Sequence, residues 1–265
     1  MIRTCGGSRG RAARTSARAA VCAALCLVSL FAHSQDSRTA QPAASVLQAW
    51  LAYPGVDTIE WPYAYLRTER TQSVQQTKRT DLFKELDHLT WRLENARRDG
   101  LLSAIGQWRG RLEAQKVYRQ PGDWSPAWLM AHPHRSPPLA RVAAIGACEP
   151  PDWVEVWDST GVERTPWRSG LQLSDLSRRD GPLQLRSVDQ VALITPEGEI
   201  KHYGQAPFNY SDAGVSPGTR VVAALPLGGE AFPWMRDAIA NLLAHSPVGS
   251  ACREMELNEK ESQDD

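Results

Sequence analysis

The side chains best suited to acid–base chemistry are four carboxylates in or near predicted turns, Asp180, Asp189, Glu197 and Glu199. Hydrolysis of a glycosidic bond needs two carboxyl groups roughly 5 to 10 Å apart. One of them must also lie in apolar surroundings that raise its pKa. No pair of acids in this sequence stands in such a setting, so we interpret the four as solvated turn residues and expect no enzyme.

A metal site and a covalent nucleophile are weakly supported. His132 and His134 lie on one side of an extended segment and could bind a metal with His88 or Asp123. Prolines around them favour a surface loop instead. The sequence contains no G-x-S-x-G motif and no cysteine with an evident histidine partner. We therefore predict no catalytic residue, no metal and no cofactor.

The amino-terminal segment has the layout of a secretory signal. Residues 1–18 contain five arginines and no acid, and residues 19–32 are uncharged. That uncharged run would rise about 21 Å as a helix, short of the roughly 30 Å hydrocarbon layer of a membrane. We predict a cleaved signal peptide over residues 1–34 and export of the remaining chain.

The charge of the exported part argues against nucleic acid as a partner. Removing the five leader arginines leaves 25 basic and 30 acidic side chains, a net charge of −5. Cys148 and Cys252 are then the two remaining cysteines. An even number in an exported chain is compatible with one disulfide, and two unrelated thiols are the alternative.

The clearest periodicity predicts a helical hairpin over about residues 75–117. Apolar residues recur every three or four positions in two runs separated by Asp99-Gly100, where we expect a left-handed cap. These residues are Leu82, Leu86, Leu89, Leu93, Leu101, Ile105, Trp108 and Leu112.

Beyond Pro151 the pattern changes to β structure. Residues 153–167 and 188–204 predict two hairpins with a short helix between them, and residues 219–226 predict a nearly all-apolar central strand. This is the order of a β-grasp domain.

The carboxyl-terminal part predicts an amphipathic helix over residues 229–248, followed by an acidic flexible tail over residues 249–265. Four apolar residues share one face of the helix: Phe232, Met235, Ile239 and Leu242. This face is a candidate interaction surface. The alternative that we favour is that it folds back onto the protein.

The strings RQPGDWSPAWLMAHPHRSPPL, WVEVWDSTGVERTPW and SPGTRVVAALP, with the closing helix, resemble the GfcC family of capsule-biosynthesis proteins. The resemblance implies an α+β protein with two tandem β-grasp-like domains, over residues 35–150 and 151–228. It implies a helical hairpin inserted in the first domain, and similarity to the periplasmic domains of Wza-type exporters. The family's first domain opens with a β-hairpin before its helix, but here only about ten residues separate the leader from the first predicted helix. Either that hairpin is lost or the first domain is reduced.

The resemblance also implies a binding cleft. Arg119 matches a recurring Gly-Arg of the family, with Tyr118 in place of the glycine. Its guanidinium could bind uronate carboxylates or phosphates, or it could hold the two domains together through a carboxylate. Trp124 and Trp128 beside it could stack on sugar rings or belong to the core.

The function expected from these features is that of a periplasmic, non-catalytic accessory of capsule or exopolysaccharide export. Such a protein would bind the glycan or the export machinery. The alternatives are an oligomeric subunit of an export channel, lined by the terminal helix, and a polysaccharide-modifying enzyme. We favour a monomer over a ring.

Overall fold

The computed structural model describes residues 43–177, 181–183, 189–227, 230–231 and 233–257. The predicted signal peptide, Asp180, Phe232 and the end of the predicted tail lie outside the described residues. The residues from Ala43 onward belong to one compact unit. They form an α+β structure, as the sequence predicts.

Helices and strands alternate irregularly along the chain. The helices are α1 (Val46–Leu51), α2 (Glu69–Asn95), α3 (Asp99–Glu113), α4 (Pro126–Ala131), α5 (Leu173–Leu176) and α6 (Pro233–Ala244). The strands are β1 (Ala64–Arg67), β2 (Ala144–Glu149), β3 (Trp153–Asp158), β4 (Gly161–Pro166), β5 (Gln190–Ile194), β6 (Ile200–Gly204), β7 (Arg220–Ala223), β8 (Pro226–Leu227), β9 (Glu230–Ala231) and β10 (Ser250–Glu256). Short 3₁₀ turns cover Val56–Thr58, Trp61–Tyr63, Pro133–Arg135 and Leu139–Arg141.

A five-stranded sheet is built from residues 153–223 in the order β4-β3-β7-β5-β6. β3 and β7 are parallel, and the other neighbours are antiparallel. β7 therefore lies at the centre with all four residues buried, which explains its lack of polar alternation. The two predicted hairpins, the short helix and the last strand are all confirmed.

Both faces of this sheet are covered. On one face Val154 and Val156 pack against α5 and the loops around it. On the other face Trp157 and Val222 pack against α2, α3 and α6. The predicted helical hairpin thus exists as α2 and α3. It lies between β1 and β2 in the chain, yet it packs against the five-stranded sheet.

The turn of the hairpin differs from the prediction. The left-handed residue is Arg97, with φ of 52°, whereas Asp99 and Gly100 already belong to α3. Arg97 N–H donates to the carbonyl of Glu94, and Arg98 N–H to that of Leu93. These bonds satisfy the last carbonyls of α2 without a glycine.

A second, three-stranded antiparallel sheet has the order β1-β2-β10. Its third strand corrects the prediction of a flexible tail over residues 249–265, because residues 250–256 pair with β2. Arg67 of β1 reaches across β2 and binds the carboxylates of Glu254 and Glu256, so acids that suggested disorder are neutralised within the sheet. Residues 258–265 of that tail lie outside the described part of the chain.

The disulfide between Cys148 and Cys252 is present and joins β2 to β10. The disulfide adds a covalent link to a strand that Arg67 also holds through its ion pairs. The prediction of a disulfide is therefore confirmed, and it holds the carboxyl-terminal strand at the edge of the smaller sheet.

Helix α6 is amphipathic as predicted, but its apolar face is not a free interaction surface. Met235, Ile239 and Leu242 are each at most 2% exposed and pack among the leucines of α2 and the residues of the five-stranded sheet. The alternative that we favour, that this face folds back onto the protein, is confirmed for these three residues, and the expectation that they form a free interaction surface is wrong. Among the described helices, none has both the length and the apolarity that a membrane span requires.

Candidate functional site

Arg119 is buried, not directed into a cleft. It is 1% exposed, and its guanidinium donates to the carbonyls of Ala244 and Pro196. Its backbone N–H donates to the carbonyl of His245 at 2.6 Å. Arg119 therefore joins the end of α6 to the β5–β6 turn. This burial does not fit the expected binding of a ligand. The alternative of a structural arginine fits, but its partners are backbone carbonyls instead of a carboxylate.

A second arginine holds the same helix end. Arg220 is 2% exposed and donates from Nη1 to the carbonyl of Leu243 at 2.8 Å and from Nη2 to that of Pro247 at 3.2 Å. Positive charge at the carboxyl end of a helix is favourable. Burial, and then the charge of Arg220, lower the pKa of Arg119 to about 9. It is therefore a structural cation that is charged at neutral pH.

Gly198 allows the turn to approach this arginine. It has φ of +89°, and a Cβ there would lie 2.5 Å from the carbonyl oxygen of Ala244 and 3.3 Å from Arg119 Nη2. Only glycine fits this position without strain. The tight Glu197-Gly198 turn is thus confirmed, and it carries Glu197 above the buried guanidinium.

The two tryptophans expected beside Arg119 have different environments. Trp124 is 3% exposed and packs in the core beneath α4, with Nε1 donating to the carbonyl of Gln120. Trp128 is half-buried and stacks on His132, with ring centroids 4.7 Å apart. Trp124 is therefore a core residue and not a sugar platform. Trp128 forms its stack with a neighbouring side chain of the protein.

An open cleft of about 690 Å³ lies beside these residues, and we call it the carboxylate cleft. Acids from three separate segments line it: Asp57, Asp123 and Glu197. Trp61, Leu51 and Met130 supply apolar surface, and the last two are 60% and 64% exposed. The volume is within the range of roughly 300–1,000 Å³ typical of ligand sites.

Local hydrogen bonds fix the walls of the cleft. Asp123 Oδ1 accepts from the Ser125 N–H at 2.8 Å, and Ser125 in turn caps α4. Gly122 N–H donates to the Glu197 carbonyl at 3.0 Å, so the two walls are joined directly. Trp61 lies edge-on to Trp50, with ring centroids 5.4 Å apart.

The chemistry of the carboxylate cleft suits hydroxyl-rich ligands. Carboxylates accept hydrogen bonds from hydroxyl groups, and an aromatic ring offers a surface for the apolar face of a sugar. The three negatively charged side chains of the cleft would repel the carboxylate of a uronate, which is one of the ligands expected for Arg119. Sequence reasoning missed Trp61 and Asp57, although the segment YPGVDTIEWPY, dense in turn-forming and aromatic residues, marks an irregular surface segment there.

A buried carboxylate also escaped sequence reasoning. Glu155 is 0% exposed on β3 and accepts hydrogen bonds from Arg111, Arg164 and Trp157. Arg111 belongs to α3, so this cluster ties the hairpin to the five-stranded sheet. The side chains of this cluster satisfy one another's hydrogen bonds, so we interpret the cluster as structural. In the described part of the chain, no three His, Cys, Asp or Glu side chains are arranged to hold a metal ion.

Comparison of the chain with known protein families and with curated proteins finds no match. The likeness to the GfcC family therefore depends on the sequence features described above. It enters the account below as a proposal.

Proposed function

We propose that the protein is a periplasmic, non-catalytic accessory of capsule or exopolysaccharide export, which holds glycan in the carboxylate cleft. The observation that carries this proposal is the cleft itself, with Trp61 and three carboxylates facing a sugar-sized space. The predicted signal peptide and the GfcC-like sequence features supply the compartment and the pathway. Recruitment to the export machinery is the second half of the same role.

The fold supports this proposal through the topology of the five-stranded sheet. Two hairpins flank a central last strand that is parallel to the first, and a short helix covers one face. We propose that this sheet is a β-grasp module, because its order of hairpin, helix, hairpin and central strand is the one expected of that fold. We propose that the three-stranded sheet is the reduced first module, completed by β10.

The packing of α6 favours an accessory over a channel subunit. Met235, Ile239 and Leu242 would have to leave the core before they could line a ring with copies from other protomers. Exposing three such side chains costs about 5 kcal/mol or more. We therefore propose a monomer, and analytical ultracentrifugation distinguishes it from a ring.

A polysaccharide-modifying enzyme is the second candidate, because acids line a sugar-sized space. Asp123 and Glu197 both line the carboxylate cleft, and hydrolysis of a glycosidic bond requires such a pair of carboxyl groups. Product analysis separates the two functions. The accessory leaves the glycan unchanged in length and composition, whereas the enzyme shortens or modifies it.

Calorimetric titration of the purified protein with the polysaccharide of its host cell tests the proposal. Asp123→Asn keeps the oxygen that accepts from Ser125 and removes one charge, and Trp61→Ala removes the aromatic surface. We expect each substitution to weaken binding at least about fivefold, since stacking and charged hydrogen bonds each contribute about 1–3 kcal/mol.

The matched control is Trp91→Ala. Trp91 is 61% exposed on α2 and does not line the cleft, so its removal should leave affinity unchanged. Thermal unfolding of each variant establishes that it is folded. Absence of glycan binding by the wild-type protein, or equal binding by all variants, would contradict the proposal.

A further inference from the structure

A second groove, separate from the carboxylate cleft, is strongly basic. It has a volume of about 890 Å³ and lies between the start of α2 and the two 3₁₀ turns before β2. Four cations line it, and we call it the basic groove: Arg70, Lys78, Arg135 and Arg141. Glu69 is the one acid among its lining residues in the described chain.

The four cations have no acidic partner in the part of the chain that the structure describes. Arg70, Arg135 and Arg141 are exposed and form no ion pair within the described residues, and Lys78 Nζ donates to the neutral Asn241 Oδ1 at 3.0 Å. In contrast, Arg67, Arg109, Arg111, Arg164 and Arg236 all contact carboxylates. In an exported chain whose net charge we expect to be −5 after removal of the predicted signal peptide, this concentration of positive charge favours an anionic ligand.

A partly buried histidine also lines the groove, and one of the four cations, Lys78, affects its pKa. His245 lines the groove, and its Nδ1 contacts the Asn241 carbonyl at 2.7 Å. Burial lowers its pKa, and the charges of Lys78 and Arg119 lower it further. The positive end of α2, a helix of 27 residues, opens into the groove at the same place.

An unpaired acceptor at the base of the groove adds a second requirement for the ligand. Gln75 is 2% exposed and lines the groove, and its Oε1 atom has no hydrogen-bond partner among the described residues. A buried carbonyl without a donor costs about 1–3 kcal/mol. Gln72, one turn earlier on α2, has both ends of its amide bonded. Gln75 Oε1 therefore needs a hydrogen-bond donor from the ligand. A fully ionised phosphate or sulfate carries no such donor.

We propose that the basic groove binds an acidic saccharide, whose carboxylates contact the arginines and whose hydroxyl donates to Gln75. Uronic acid residues carry both groups on one ring. The inference rests on the proposed function, because it names the class of glycan segment that such an accessory would hold. It adds a second binding site, with chemistry opposite to that of the carboxylate cleft.

The test uses a trimer of galacturonic acid as the probe, titrated into the full-length mature protein. We expect saturable binding that weakens as salt rises, since exposed charges are screened. The methyl ester of the same trimer keeps the hydroxyls and loses the charges, and we expect it to bind at least tenfold more weakly. Equal binding of acid and ester would overturn the proposal.

Two variants and a control locate the site. Removing Arg135 and Arg141 together should weaken trimer binding at least tenfold. Arg92→Ala removes an exposed arginine about 33 Å along α2 from Arg70 and should have no effect. Unchanged affinity in the double variant would overturn the proposal. Sulfate, which has charge but no hydroxyl donor at neutral pH, should bind more weakly than the trimer. Tighter binding of sulfate would make this a simple anion site and overturn the saccharide assignment.

Gln75→Met isolates the proposed hydroxyl contact. Removing an unpaired polar atom should leave the free energy of unfolding equal or higher, yet lower the affinity for the trimer several-fold. The cleft variant Asp123→Asn should leave trimer binding unchanged. Absence of trimer binding in the basic groove, with glycan binding in the carboxylate cleft intact, would thus refute this inference alone. Absence of glycan binding in the carboxylate cleft alone would refute the proposed function.

Discussion

At the scale of single residues, two buried arginines hold the carboxyl end of α6 in place. Arg119 and Arg220 together bind the carbonyls at the end of α6, and Arg119 extends the contact to the turn that carries Glu197. A residue that resembles a ligand-binding arginine in sequence is therefore the support beneath the candidate site.

The first prediction concerns this structural role. Arg119→Ala leaves two buried carbonyls unpaired and should lower the free energy of unfolding by about 2–5 kcal/mol, measured by urea denaturation. Glycan affinity should be retained wherever the variant is folded. Arg92→Ala is the exposed control, with a change below about 0.5 kcal/mol. Unaltered stability with lost glycan binding would show that Arg119 contacts ligand after all.

The second prediction concerns pH. The pKa of His245 in the folded protein lies below its ordinary value of 6.5, mainly through burial. The unfolded chain therefore binds the proton more readily, and stability should fall as pH drops below 6.5 towards the folded pKa. His245→Gln should reduce this slope in denaturation curves between about pH 5 and pH 8. An identical slope in the variant would contradict the expectation.

The roles of single residues were harder to predict from the sequence than the helices and strands, for a physical reason. Glu155 alternates with valines on β3, which suggests a solvent-facing position, yet its face is covered by α3. Burial on both faces depends on a helical hairpin more than forty residues away in sequence, which no local pattern contains. The same applies to Arg119, whose partners come from residues 196 and 244.

At the scale of elements, strong periodicity was a reliable guide. The leucines of α2 and α3 and the alternating strands β3 and β4 form the elements that their spacing predicts. β10 was missed because its residues are charged and exposed, and its pairing depends on Arg67 and the disulfide. A strand stabilised by long-range partners carries little local signal.

The third prediction concerns this strand. Cys148 and Cys252 are 104 residues apart, and a disulfide closing such a loop contributes about 2–5 kcal/mol. Reduction, or Cys252→Ser, should release β10 and speed tryptic cleavage after Arg253. Cleavage at the exposed Arg97 in the hairpin turn is the internal reference and should not change. Equal protection of Arg253 before and after reduction would contradict a role for the disulfide in holding β10.

At the scale of the whole molecule, two sites of opposite charge lie on one compact body. The carboxylate cleft suits hydroxyl groups, and the basic groove suits acidic groups. The cleft is lined by α1, α4, the first 3₁₀ turns and the β5–β6 turn, whereas the groove is lined mainly by the start of α2 and the 3₁₀ turns before β2. Such a pair of sites would let one protein hold a glycan repeat that carries neutral and acidic sugars.

The most direct test of the central claim is the amount of polysaccharide on the surface of host cells that lack this protein. We expect deletion to reduce surface polysaccharide, the wild-type gene and Trp91→Ala to restore it, and Trp61→Ala to restore little despite normal protein levels. Full surface polysaccharide in the deletion strain, or full restoration by Trp61→Ala, would contradict a glycan-binding role in export.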